Sequence, residues 1–180
     1  MRLSLITLCL GLSLSLPSLA VAESSKVQQI RQNYEHLQLK MCNFDPQELK
    51  LNTSGLESVA FKDKQGQVQM LKVTAVSETG QNVKEFFYED NVLIFVKEKS
   101  QRFNSSFYGS AAEAKAQGVE AYDPLKTIST ENHYFFADNQ LIAWQDQNKQ
   151  AVSSQAALFK QQEVALLNQS SQMLVQVALK

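Results

Sequence analysis

The stretch Phe86-Phe87-Tyr88-Glu89-Asp90-Asn91-Val92-Leu93-Ile94-Phe95-Val96 returns later in the chain as Tyr134-Phe135-Phe136-Ala137-Asp138-Asn139-Gln140-Leu141-Ile142-Ala143-Trp144. Both copies read aromatic, Phe, aromatic, any residue, Asp-Asn, any residue, Leu-Ile. Aromatic and β-branched side chains suit a pleated, half-buried surface. Asp-Asn between two such runs marks a turn, because short carboxylate and carboxamide side chains tolerate left-handed backbone and bond it locally. Each copy is therefore read as a β-hairpin. Strict alternation assigns Ile94 with Val96, and Ile142 with Trp144, to one sheet face, and Leu93 with Leu141 to the other. Both faces are then partly apolar, so helices are expected over at least one side, with cover on parts of both as the further option.

A looser relative of the repeat precedes it. Leu56 to Lys62 and Val68 to Val76 flank Asp63-Lys64-Gln65-Gly66, where Gly66 supplies the positive φ a hairpin loop often needs. Before that, Leu49 and Leu51 alternate with Lys50 and Asn52. Upstream the period changes to helical: Val27, Ile30, Tyr34, Leu37 and Met41 form one stripe. Ser25 with Gln28 is read as a capping box, and the helix ends near Lys40, ahead of Asn43-Phe44-Asp45-Pro46. The last segment, Ser154 to Lys180, has neither Gly nor Pro and reads as a long helix. Phe159, Leu166 and Met173 recur at seven-residue spacing beside Val164, Leu167 and Leu174, and Gln155, Gln162, Gln169 and Gln176 make a polar stripe at the same spacing. Such a helix docks on a sheet or meets a second chain, and docking is the commoner use. The expected fold is α+β: an antiparallel meander of about six strands, with the N-terminal and the long C-terminal helix packed on it.

Between the two copies lies an insertion at residues 100–130, containing a short helix that Ser110 caps with Glu113 and Gly118 closes. Connections of this length inside a compact domain are uncommon and are usually functional or mobile. Arg102, Phe103, Phe107, Tyr108 and Tyr122 flank the helix, and these are the expected binding anchors, since loops on a rigid scaffold carry binding residues disproportionately.

The N-terminus bounds the compartment. Met1-Arg2, an apolar run from Leu3 to Leu16, and Ala20-Val21-Ala22 before Glu23 have the order of a secretory signal peptide cleaved after Ala22. Residues 23–180 then form a single exported, soluble domain, and no later run approaches the roughly 20 apolar residues of a membrane span. Ile6-Thr7-Leu8-Cys9 is a poor lipoprotein box. Cleavage leaves Cys42 as the one cysteine, so no intramolecular disulfide forms and the fold rests on its core. Interleaved charges of both signs, with a formal net charge of -1, argue against nucleic acid or anionic lipid as the partner.

Chemistry-bearing residues have ordinary readings beside the functional ones. Cys42 could be a nucleophile beside His36 or His133, yet it reads more simply as a small buried hydrophobe ending the first helix. Two histidines do not make a metal site, which needs three or four ligands, and no cofactor motif occurs. Asn52-Thr53-Ser54, Asn104-Ser105-Ser106 and Asn168-Gln169-Ser170 match a glycosylation pattern that arises often by chance in Asn- and Ser-rich chains. His133, Glu131 and Asp138 are the residues from which an envelope hydrolase would assemble a site.

The pattern at residues 86–94 and 134–142, with Ile30, Arg31 and Tyr34 in an N-terminal helix, resembles hairpins of uncharacterised secreted bacterial proteins. It is also reminiscent of repeats built from an aromatic, an Asn-Gly turn and a Lys-Leu-Ile strand, although here Val92 and Gln140 stand in place of that Gly. The resemblance implies a bacterial periplasmic or secreted source and no particular activity. The leading expectation is thus a non-enzymatic interaction module for a protein or cell-envelope partner. The alternatives are the hydrolase and a structural homodimer held by the C-terminal helix.

Overall fold

The computed structural model describes residues 24–49, 55–107 and 109–179; the signal peptide expected at residues 1–22 lies outside them. Helix α1 (Ser25–Leu39) is followed by strands β1 (Asp45–Leu49), β2 (Leu56–Lys62), β3 (Val68–Ser77), β4 (Gly80–Glu89) and β5 (Val92–Arg102), a short helix α2 (Ala111–Gln117), strands β6 (Ile128–Ala137) and β7 (Gln140–Gln145), and helix α3 (Ala157–Ala178). The strands form one seven-stranded antiparallel meander in chain order. The α+β architecture expected from the repeat is present, with one strand more than the periodicity had counted.

Three hairpins share a register shift close to the turn. In both Asp-Asn turns the two central residues have positive φ: 48° and 63° at Asp90 and Asn91, 51° and 58° at Asp138 and Asn139. This is the tight primed turn whose twist matches the flanking strands, reached here without glycine. Two pairs beyond each turn the returning strand carries one extra residue. Tyr88 faces Leu93 while Phe87 faces Phe95, which leaves Ile94 unpaired; Phe136 faces Leu141 while Phe135 faces Ala143, which leaves Ile142 unpaired. In the first hairpin Lys62 faces Val68 and Phe61 faces Met70, so Gln69 holds the equivalent place. These bulges correct the simple alternation. The extra residue returns Val96 to the face of Leu93, and Trp144 to the face of Leu141, while Ile94 joins Phe95 on the opposite face.

Each face has its helix. α3 lays Phe159, Leu166, Met173 and Val177 on Leu71, Phe86, Tyr88, Val96, Tyr134 and Phe136. α1 lays Val27 and Ile30, with Tyr34, Leu37 and Met41 beside them, on Met70, Phe87, Ile94, Phe95 and Phe135. Phe86, Phe87, Tyr88, Phe95, Tyr134, Phe135 and Phe136 are fully buried, and each contributes about 1.5–3 kcal/mol by leaving water. The repeated aromatic triplets are therefore the centre of the sheet, contributing to both cores at once.

Smaller expectations shift by a residue or a face. Ser24, not Ser25, is the N-cap of α1, its Oγ accepting the N–H of Val27 at 3.3 Å. Cys42 is exposed on the 3-10 turn Met41–Asn43; Met41 takes the inward position, and the tighter turn carries the next side chain outward. Gln162 and Gln169 of the polar stripe are half-buried and have partners on the sheet. Gln162 donates to Tyr134 Oη at 3.2 Å, and Lys84 donates to Gln169 at 3.4 Å. They meet a polar seam around Glu98, which also accepts hydrogen bonds from Tyr134 Oη at 2.9 Å and Asn82 at 3.0 Å. Burial first, then the Glu98 charge, raises the pKa of the Tyr134 phenol.

Candidate functional site

The insertion joins the far ends of β5 and β6 and folds into a lobe with its own small core. The rings of Phe103 and Phe107 meet edge to face at 5.4 Å, those of Phe103 and Tyr122 at 5.3 Å, and those of Phe107 and Tyr122 at 6.5 Å. Edge-to-face geometry sets the positive ring edge on the negative ring face and adds to simple burial. Three of the expected anchors are thus brought together. Arg102 closes β5 as an exposed residue opposite Ile128, and Tyr108 lies outside the described residues.

Backbone bonds fasten the lobe to the turn between β3 and β4: the N–H of Phe103 donates to Thr79 O at 2.9 Å, and that of Phe107 to Glu78 O at 3.1 Å. Asn104 clasps its two arms, donating to Ala121 O at 3.0 Å and accepting from the Asp123 N–H at 2.9 Å. Asp123 in turn caps the 3-10 turn Pro124–Lys126 through the Leu125 N–H. The α2 cap is as the sequence indicates: Ser110 and Glu113 bond reciprocally, and Gly118 closes the helix at φ 69°. The bonds from Ser110 hold the Glu113 carboxyl below its ordinary pKa, and those from Lys126 and Asn104 do the same for Glu120.

This bracing exposes a particular set of apolar groups. Phe107 is 37% exposed, Val119 54%, Leu125 94% and Ile128 51%. Val119 also lines a cleft of about 340 Å³ together with Glu78, Ser105, Ser106, Glu113 and Gln117, among others. The aromatic anchors expected from the sequence serve mainly as the lobe's core, and Leu125 and Ile128 are presented to solvent. Composition offered no signal for these two, since isolated aliphatic residues near a strand start usually face inward. Asn104 was legible only as part of a glycosylation match, and its carboxamide is committed inside the lobe.

The hydrolase constellation does not assemble. His133 Nε2 and Glu131 Oε1 are 2.7 Å apart on one face of β6, but Asp138 sits in the turn five residues beyond His133, roughly 16 Å along the strand at ~3.3 Å per residue. Around His133 the face is structural: its ring meets Phe95 at 5.4 Å, and Lys97 Nζ lies 2.8 Å from Glu85 Oε2. Burial lowers the pKa of Lys97, but the bond and charge of Glu85 outweigh it and leave that pKa raised. Among the described residues no group of three or more His, Cys, Asp or Glu is placed to hold a metal ion. No helix of the described residues is long and apolar enough to cross a membrane.

No family model, no curated protein and no solved structure matches the chain.

Proposed function

We propose that this protein is an exported, non-enzymatic interaction module of the bacterial periplasm or exterior, which engages a protein or cell-envelope partner through the insertion lobe. The observation that supports the reading is the lobe's hydrogen-bonded bracing combined with its exposure: a loop clasped by Asn104 and tied to Thr79 and Glu78 nevertheless holds Phe107, Leu125 and Ile128 in water. Ordering those side chains before contact removes part of the entropy cost that binding must overcome.

The test is recovery of partners from a periplasmic extract by tagged residues 23–180, compared with Phe107→Ala and Leu125→Asp variants. Leu125 is 94% exposed, so its substitution leaves the fold intact. Loss of specific recovery in both variants is expected, and undiminished recovery in both would overturn the reading. Mass spectrometry of the exported protein should find Glu23 as its first residue; retention in the cytoplasm with Met1 intact would remove the compartment.

A further inference from the structure

The backbone of β6 is half uncovered, and its free groups can be assigned one by one. β5 pairs with β6 from Ile128 to Phe135, whereas β7 pairs with it only from His133 to Ala137. Leu141 faces Phe136, yet its N–H points away from β6, to Glu163 Oε2 on α3 at 3.0 Å. Trp144 faces Tyr134, yet its carbonyl also points away, accepting the Val152 N–H at 2.8 Å. Phe136 and Tyr134 therefore direct their own N–H and C=O toward β5, and strand alternation makes Asn132, Thr130 and Ile128 do the same. Ser129 and Glu131 direct theirs to the side where β7 has ended. Among the described residues no backbone group bonds to them there.

The sheet's other edges are blunted. β1 is five residues long and contains Pro46, which has no N–H to offer. β7 is closed by the Glu163 carboxylate at one end and by the Gln145–Ala151 bridge and Val152 at the other. Residues 128–132, Ile-Ser-Thr-Glu-Asn, carry neither the Lys nor the Pro that commonly guards an edge.

We propose that this edge receives an extended peptide segment of a partner, added antiparallel to β6 in line with β7. A second copy of the chain does not fit. Two-fold pairing about Thr130 would drive each copy's Asp146–Gln150 turn, which follows Gln145 opposite His133, into the other's Pro124–Lys126 turn. A free strand carries no such bulk. Its chemistry follows from cross-strand matching. Opposite Glu131, whose side chain is 48% exposed, it presents Lys or Arg; three residues later, opposite Ile128, it presents an aliphatic side chain. The inference shares Ile128 with the lobe reading, but neither Phe107 nor Leu125, whose variants test that reading, takes part.

The probe is the synthetic peptide Lys-Thr-Ser-Val-amide, whose Lys lies opposite Glu131 so that nothing is placed against Gln145 and Asp146, with NMR-detected amide exchange on residues 23–180. At saturating peptide the N–H groups of Ser129 and Glu131 should exchange about tenfold more slowly or better, since both become bonded. A peptide N-methylated at its Ser loses the donor to the Ser129 carbonyl and should bind about tenfold more weakly. Glu131→Lys should invert the preference, favouring the peptide with Glu in place of Lys. Unchanged exchange at Ser129 and Glu131, or equal binding of the N-methylated peptide, would overturn the proposal; failure in either way leaves the partner-recovery result at Phe107 and Leu125 untouched.

Discussion

Tyr88 Oη and Ser170 Oγ lie 2.7 Å apart in the interior between the sheet and α3, both residues buried. The bond ties the centre of the repeated hairpin to the middle of the last helix, and either hydroxyl can donate. Tyr88→Phe leaves the Ser170 hydroxyl stranded and should cost about 1–3 kcal/mol, whereas Tyr88→Phe combined with Ser170→Ala removes both partners and should cost less than the two single changes together. Urea unfolding of the four proteins measures the coupling, and strictly additive losses would show that the two hydroxyls do not act as a pair. Burial also raises the Tyr88 phenol pKa well above its ordinary value. The unfolded phenol ionises first, so this contribution is full below pH of about 10 and is lost as the pH rises beyond it. Tyr88→Phe should flatten part of that alkaline decline.

Glu163 makes the opposite prediction for acid. Its carboxylate accepts the outward N–H of Leu141 at 3.0 Å and pairs with Lys160. The bond from Lys160 is the main cause of its depressed pKa, acting against desolvation, with the Leu141 N–H adding to it. A depressed folded value means stability that is present above the unfolded pKa of about 4.3 and is lost as pH falls through the folded value. Glu163→Gln should therefore lower stability at neutral pH and narrow the gap to wild type as the solution is acidified below about pH 4. Thermal melts across that range check it, and a pH-independent gap would exclude the carboxylate charge as the cause.

How much of this was legible in the sequence depends on what each residue's local neighbours could reveal. The aromatic triplets, the Asp-Asn turns and the α1 stripe are local patterns, and each stands where it was expected. The bulges at Ile94 and Ile142 were not legible, because an unpaired residue is a property of two strands in register. The partners of Gln162 and Gln169 in the polar stripe of α3 were not legible for a similar reason. These partners, Tyr134 and Lys84, come from strands far away in the chain, and only the docked helix shows that a polar seam needs the two glutamines. Within the insertion, the helix caps followed from local spacing, but the Asn104 clasp joins residues 17 and 19 positions apart and left no periodic trace.

That clasp predicts a local rather than a global defect. Asn104→Ala removes the bond to Ala121 O and strands the Asp123 N–H, yet touches neither helix-covered core. Amide protection across residues 103–127 should fall while that of the central strands is retained, because opening of one unit need not involve the whole fold. Hydrogen exchange with peptide-level resolution separates the cases. Uniform loss across β4, β5 and β6 would mean that the lobe and the sheet unfold together.

Two loops with the same wiring test the cost of a left-handed residue. In Asp63–Gln67 and Asp146–Gln150 the first Asp N–H bonds the last Gln carbonyl, and the Asp side chain accepts two further N–H groups, those of Gln65 and Gln67 in one loop and of Asn148 and Gln150 in the other. The fourth position has positive φ in both, 79° at Gly66 and 60° at Lys149. Left-handed backbone costs a residue with a Cβ roughly 1–2 kcal/mol, and Gly avoids this at some expense in unfolded-state entropy. Lys149→Gly should accordingly stabilise the protein by about 0.5–1 kcal/mol, and Gly66→Lys should destabilise it by a similar amount, since a Cβ there meets nothing within 4 Å and only the backbone strain is felt. Chemical denaturation of the two variants provides the comparison. A loss of stability in Lys149→Gly would show that the lysine side chain contributes more than its backbone strain costs.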